Sequence, residues 1–183
     1  MNRGSATLFT IGHSNRELAE LLELLGAAAI RILVEVRARP RSQRFPQFDE
    51  AALRAALEGA GIEYHWAGRQ LGGRRPARPG SPHLALEAGF RGYADHMASP
   101  DFHRAMNQLL GLAGRAPLAL LCAERLPEHC HRSLIADWLL LQGHSVVHLI
   151  DTDQRREHQL RPEARRDSAA LVYDRYAQPP LDL

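Results

Sequence analysis

A Rossmann-like three-layer α/β fold is predicted by three features of this sequence. The apolar run 118–121 has the length and composition of a strand covered on both faces, and 6–11, 31–36 and 145–150 read as further strands. Segments with helical spacing and recognisable caps separate them. Their alternation along the chain implies a mainly parallel sheet of about five strands with right-handed crossovers, and the order 3-2-1-4-5 is suggested. A chain of 183 residues with 45% hydrophobic content fits one such domain, placed at 1–150 and followed by a C-terminal arm or irregular tail at 151–183.

The first strand, 6–11, runs into a turn at Gly12, His13 and Ser14. Ser14 and Glu17 have the spacing of a capping box, which predicts a helix over 15–25, and a hydroxyl at a strand tip is also placed to touch a ligand. His13 has no comparable local role and is a candidate contact. The second strand, 31–36, ends around Glu35 and Arg37, beside Arg39, Pro40, Arg41, Ser42 and Arg44. Residues 31–44 hold five arginines against Glu35, a local balance of +4. Such a loop either grips phosphate through forked guanidinium contacts or is a solvated basic loop with Glu35 paired to an arginine. Phe45, Pro46 and Phe48 stack on a base or pin the loop to the core.

An alanine-rich helix at 49–60 and a short strand at 62–66 follow. The glycine- and proline-rich stretch 68–89 is too long for an ordinary connection, so it is expected to cover a pocket or to be partly mobile. A helix at 90–97 carries Tyr93, and Ser99 with Pro100 caps another at 101–112.

The stretch 118–143 organises the rest. Its strand places Cys122 and Glu124 at the C-terminal tip. A polar loop then leads to a helix starting near Cys130, His131 and Arg132, with Leu134, Ile135, Trp138, Leu139 and Leu141 as its buried face and Gly143 as its stop. A cysteine at a helix start gains thiolate character. An arginine in a first turn opposes the helix dipole unless an anionic ligand, or here Glu128, offsets it. After the last strand, 145–150, the arginine-rich segment from 151 shows little periodicity.

Composition excludes several chemistries. All 23 basic residues are arginine, so a lysine Schiff base, a P-loop lysine and a lysine general base are impossible. Together with the many Ala, Leu, Gly and Pro residues, this suggests a coding bias, so arginine abundance alone does not argue for nucleic-acid binding. No apolar run approaches the roughly 20 residues of a membrane span, and no signal-peptide stretch opens the sequence, so a cytoplasmic protein is expected. Two cysteines in that compartment are thiols or ligands rather than a disulfide.

Several separated motifs occur together: Thr10-Ile-Gly-His-Ser-Asn15, Val34-Glu-Val-Arg37 with Arg39-Pro40, Pro46-Gln-Phe48, Leu71-Gly-Gly73, Tyr93-Ala-Asp95, and Cys122-Ala-Glu124 with Cys130-His-Arg132. In this combination and order the chain resembles the bacterial and archaeal family called domain of unknown function 488, over nearly all of its length to about Asp151. The resemblance implies a compact α/β domain whose motif residues lie at strand tips, and no particular activity. Where the family usually has an aspartate in the second strand, this chain has Glu35, one methylene longer.

Three functional classes fit these residues. The first is an enzyme, a hydrolase or transferase, acting on a phosphate-bearing substrate such as a nucleotide or nucleic acid. Glu35, Glu124, Cys130 and His131 are its candidate catalytic groups. His13, Ser14, Arg37, Arg39, Tyr93, Cys122 and Arg132 are its candidate substrate contacts. Arg37→Ala and Arg132→Ala are then expected to weaken anion binding with folding intact. Phosphatase-type cysteine chemistry does not fit, because Ala136 occupies the place of the phosphate-binding arginine in that signature. The second class is a zinc site on Cys122, Cys130 and His131, with or without His129, although seven residues between the cysteines is not a standard finger spacing. The third is a non-catalytic nucleic-acid-binding module.

Overall fold

The computed structural model describes residues 5–168 and 170–176. Six strands form the main sheet: β1 (Thr7–Gly12), β2 (Ile32–Glu35), β3 (Glu63–Trp66), β4 (Leu118–Cys122), β5 (Ser145–Leu149) and β6 (Arg155–Glu157). Their order is β3-β2-β4-β1-β5-β6; the first five run parallel and β6 is antiparallel to β5. The α/β three-layer class therefore stands, with one exchange in the suggested order: β4 lies between β2 and β1. β1 and β4 are still neighbours, with Gly12 opposite Cys122, so their tips open side by side.

Side chains alternate across the sheet as the pleat requires. Leu118, Leu120 and Cys122 of β4 join one apolar cluster, and Ala119 and Leu121 join the other. The second cluster is closed by α1 (Leu18–Ala27) and α2 (Glu50–Gly59) through Leu21, Leu25, Leu53 and Leu57. The first is closed by α4 (Ala88–His96), α5 (Pro100–Ala113) and α6 (Arg132–Leu141) through Tyr93, Phe102, Met106, Leu134 and Leu139. A four-residue helix, α3 (Gly68–Leu71), begins the long connection into α4. α5 starts where the sequence predicts, with the Ser99 hydroxyl accepting from the Phe102 N–H at 3.2 Å and proline in its first turn. Such a cap contributes about 1 kcal/mol.

Two local expectations are corrected. The Ser14–Glu17 capping box does not form. Ser14 takes a left-handed conformation at φ 46°, and its N–H donates across to the Ala123 carbonyl at 2.7 Å, so α1 begins later with Glu17 as its cap. Pairing of the β1 tip with β4 outweighs the local cap.

The segment after 151 is not irregular where it is described. It adds β6 to the sheet edge and forms a hairpin of β7 (Ala164–Asp167) and β8 (Ala170–Tyr173). Ala164, Leu171 and Tyr173 of that hairpin pack into the first cluster. The tail expected over 177–183 lies outside the described residues. Among the described residues, no helix is long and apolar enough to cross a membrane.

Candidate active site

The tips of β1, β2 and β4 meet at one end of the sheet, and their hydrogen bonding continues past the strands. The His13 N–H donates to the Cys122 carbonyl at 3.0 Å, which draws residues 13 and 14 against 122–124. Gly12 is required at this approach, since a Cβ there would lie 1.7 Å from the Glu124 carbonyl oxygen. The His13 ring stacks on Phe48 with centroids 4.6 Å apart. Its Nδ1–H donates to the Ser14 carbonyl at 2.9 Å, and Nε2 accepts from Arg37 Nη1 at 3.1 Å. Burial, then the Arg37 charge, brings its pKa down to about 4, so the imidazole is neutral.

Behind His13 lies a buried ion pair. Glu35 accepts from Arg37 Nε on one oxygen and from the Tyr64 hydroxyl on the other at 2.5 Å, and Arg37 Nη2 also donates to the Phe48 carbonyl at 2.6 Å. Burial pushes the Glu35 carboxyl above its usual range, opposed but not cancelled by Arg37 and Tyr64. Both Glu35 oxygens are thus engaged. The carboxylate fixes Arg37, and Arg37 faces the cleft.

Across the tips, Cys122 at the end of β4 meets Cys130 and His131 at the start of α6. His131 Nδ1 is 3.8 Å from the Cys122 sulfur and 3.7 Å from the Cys130 sulfur, and all three residues are buried. Burial acts to raise the Cys130 thiol, but hydrogen bonds from Cys122 and His131 outweigh it and bring it well below the ordinary range. Cys122 moves the opposite way, raised by its hydrogen bond to Cys130 and by burial. The His131 ring is held by Tyr93, whose centroid is 4.8 Å away, and by Gly73. Tyr93 itself is fully buried with its hydroxyl donating to the Leu71 carbonyl at 3.1 Å, so it backs His131 rather than reaching the cleft.

Arg132 lies beneath this site. It is 1% exposed, and its guanidinium donates to Thr10 Oγ1 at 3.2 Å and to the carbonyls of Glu124 and Arg125. It clasps the loop after β4 from below. Glu128 does not offset it, being paired with Arg156.

A chain of polar groups continues from Thr10. Thr10 Oγ1 is 2.7 Å from His148 Nδ1, His148 Nε2 is 2.9 Å from His158 Nδ1, and His158 Nε2 is 2.8 Å from Asp137 Oδ1. The Tyr173 hydroxyl donates to the other Asp137 oxygen at 2.9 Å. Arg132 donates to Thr10 at one end and Asp137 accepts from Tyr173 at the other, so the chain runs between a guanidinium and a carboxyl group. Burial, then the neighbouring His158, lowers the His148 pKa to about 3, so that imidazole is neutral.

These groups surround a cleft of about 740 Å³. Of the predicted site residues it gathers His13, Arg37, Arg39, Cys122, Glu124, Cys130 and His131 in its lining. Glu35, Tyr93 and Arg132 stand behind that lining, and Ser14, half-buried with its hydroxyl directed to Asn15, stands outside it. The long 68–89 connection supplies Gly73, Arg74, Glu87 and Gly89 as one wall, in keeping with a segment that covers a pocket. Arg41, named with the basic loop, and His129, weighed as a further zinc ligand, also line the cleft, as does Arg74, which the sequence marks only by its place after the Leu71-Gly-Gly73 motif. Arg39, Arg41 and Arg74 are exposed and form no ion pair among the described residues.

No curated protein and no solved structure gives a significant match to this chain. A family match covers β2, β3, β4 and the loops after them, from α1 to within α6, and leaves out β1 and His13. By that match over residues 17–139, about two thirds of its length, the chain belongs to the family described as Domain of unknown function DUF488.

Proposed function

We propose that this protein is a cytoplasmic enzyme, a hydrolase or transferase, that acts on a phosphate-bearing substrate in the cleft at the strand tips. One observation carries the proposal: four arginines, three of them without an ion pair among the described residues, line the same cleft as Cys130 and His131. Guanidinium groups left free at a cleft mouth favour phosphate, which they bind through paired N–H donors. Arg37 is already oriented by Glu35, so it meets an anion without first being ordered.

In this account Arg37, Arg39, Arg41 and Arg74 hold the anion, and His13 keeps Arg37 in place by accepting one of its protons. The exposed Glu124 carboxylate serves as the general acid or base, and the reacting centre sits against Cys130 and His131. Cys122, Tyr93 and Arg132 support that pair, and Glu35 serves Arg37, so their effects on turnover are indirect.

A screen of nucleoside triphosphates, diphosphates and short single-stranded oligonucleotides for turnover tests this. Release of a phosphorylated or dephosphorylated product by the native protein, abolished in Glu124→Gln and Cys130→Ser, is the expected result. Salt-sensitive binding of oligonucleotide with no turnover would instead make the cleft that of a nucleic-acid-binding module.

A further inference from the structure

We infer that Cys122, Cys130 and His131 bind one divalent soft metal ion, of the zinc class, with its fourth coordination position open to the cleft. The donor set is the first reason. Two sulfurs and an imidazole nitrogen lie within 4.8 Å of one another, and the two sulfur-to-Nδ1 separations are 3.7 and 3.8 Å. Tetrahedral zinc, at about 2.3 Å from sulfur and 2.0–2.1 Å from nitrogen, sets its donors roughly 3.5–3.8 Å apart. The two sulfur-to-nitrogen separations need only a few tenths of an ångström of adjustment.

Access to the nitrogen is the second reason. A Cβ built on Gly73 would lie 2.4 Å from His131 Nδ1, 2.7 Å from Cγ and 3.0 Å from Cε1, which places it over the ring face rather than along the in-plane lone pair. Tyr93 covers the ring elsewhere at a tilt of 58°. Glycine at 73 therefore lets the chain close on the imidazole while Nδ1 stays within reach of both sulfurs. His131 Nε2 is buried with no partner among the described residues, so on that side packing sets the ring.

The neighbouring guanidinium does not compete for the site: Arg132 spends its donors on Thr10 and two loop carbonyls. All three donors line the cleft, so with three protein ligands the remaining position takes a water or a substrate oxygen. The spacing is not that of a standard finger: seven residues separate the cysteines, and it is the strand-to-helix turn that returns Cys130 to Cys122. Metal binding does not depend on the phosphate reading, but the assignment of the open position to a substrate oxygen rests on it.

The test uses reduced, tag-free protein stripped with a chelator and then titrated with zinc and, separately, with cobalt(II). One equivalent of zinc retained through gel filtration is expected. Cobalt should give thiolate charge-transfer absorption in the near ultraviolet and visible bands of tetrahedral strength. Both should be lost in Cys130→Ser and in His131→Ala, with folding checked by circular dichroism. Because a variant can fail to fold, protection is measured on the native chain too: zinc should shield two thiols from a thiol-reactive dye. Dye labelling unchanged by zinc, or no retained metal in the folded native protein, would overturn the site. Binding of inorganic pyrophosphate to the metal-free protein is followed in parallel, so that loss of the metal site and loss of the phosphate cleft give different results.

Discussion

Nη1 of Arg37 and Nε2 of His13 are 3.1 Å apart, with the arginine donating and the imidazole accepting. That contact joins the tip of β2 to the tip of β1 and requires a neutral His13. It also ties the cleft's anion-facing arginine to a group that resists protonation.

The buried neutral histidines make stability depend on pH in a definite direction. His13 and His148 have pKa values lowered to about 4 and about 3, whereas in the unfolded chain both titrate near 6.5. The unfolded state therefore binds more protons between roughly pH 3 and 6.5, and stability rises with pH across that window. Urea denaturation at several pH values should show this slope. His148→Asn should show a shallower one, and equal slopes would contradict a buried neutral His148.

Glu35 is expected to matter for stability first and for turnover second. Glu35→Gln leaves the Arg37 charge buried without its counter-ion, a loss of about 3–5 kcal/mol. Tyr64→Phe removes one hydrogen bond to the same carboxylate and should cost about 1–3 kcal/mol. Chemical denaturation of both variants measures the two, and a Tyr64→Phe loss larger than that of Glu35→Gln would contradict the ordering.

Arginine substitutions should separate into two groups. Arg132→Ala frees the carbonyls of Glu124 and Arg125 and is expected to cost about 3 kcal/mol or more, contrary to the sequence-based expectation of unaffected folding. Arg39→Ala, at an exposed position without an ion pair among the described residues, should change stability by no more than about 0.5 kcal/mol while weakening anion binding. Thermal melts alongside pyrophosphate titrations distinguish the two groups.

In metal-free protein Cys130 should react with iodoacetamide much faster than Cys122 near neutral pH, because the pair shares its charge unequally. Peptide mass spectrometry of partially labelled protein resolves the two sites. Equal and slow labelling would remove the activated thiolate from the account.

Gly73→Ala tests how the His131 ring is held. The added methyl overlaps the ring face, so a stability loss of about 1–3 kcal/mol is expected, together with weaker metal retention although no ligand is altered. Unchanged zinc affinity would show that the ring orientation does not depend on the close approach.

Much of the fold was legible because strands buried on both faces read as unbroken apolar runs, as Leu118 to Leu121 does, and because Ser99 with Pro100 marks a helix start without tertiary help. The order of β1 and β4 was not legible, since both read as apolar strands and nothing local says which of them lies beside β2. The Ser14 cap failed because a cross-strand hydrogen bond competes for the same backbone. β6 escaped notice because Arg155, Arg156 and Glu157 are all exposed on an edge and show no alternation. The Thr10 to Asp137 chain joins residues far apart in sequence, and only folding brings them together. At the site, the residues next to motif glycines and cysteines were found, and Arg41 and Arg74 were not set apart as individual contacts because exposed loop arginines look alike until a cleft is seen between them.

The most direct test of the phosphate cleft is calorimetric titration of inorganic pyrophosphate into the metal-free protein and into the Arg39→Ala/Arg41→Ala/Arg74→Ala variant. Binding at one site in the native protein, weakened about tenfold or more in the variant at unchanged thermal stability, is the predicted result. No binding to the native protein, or the same affinity in both, would contradict it.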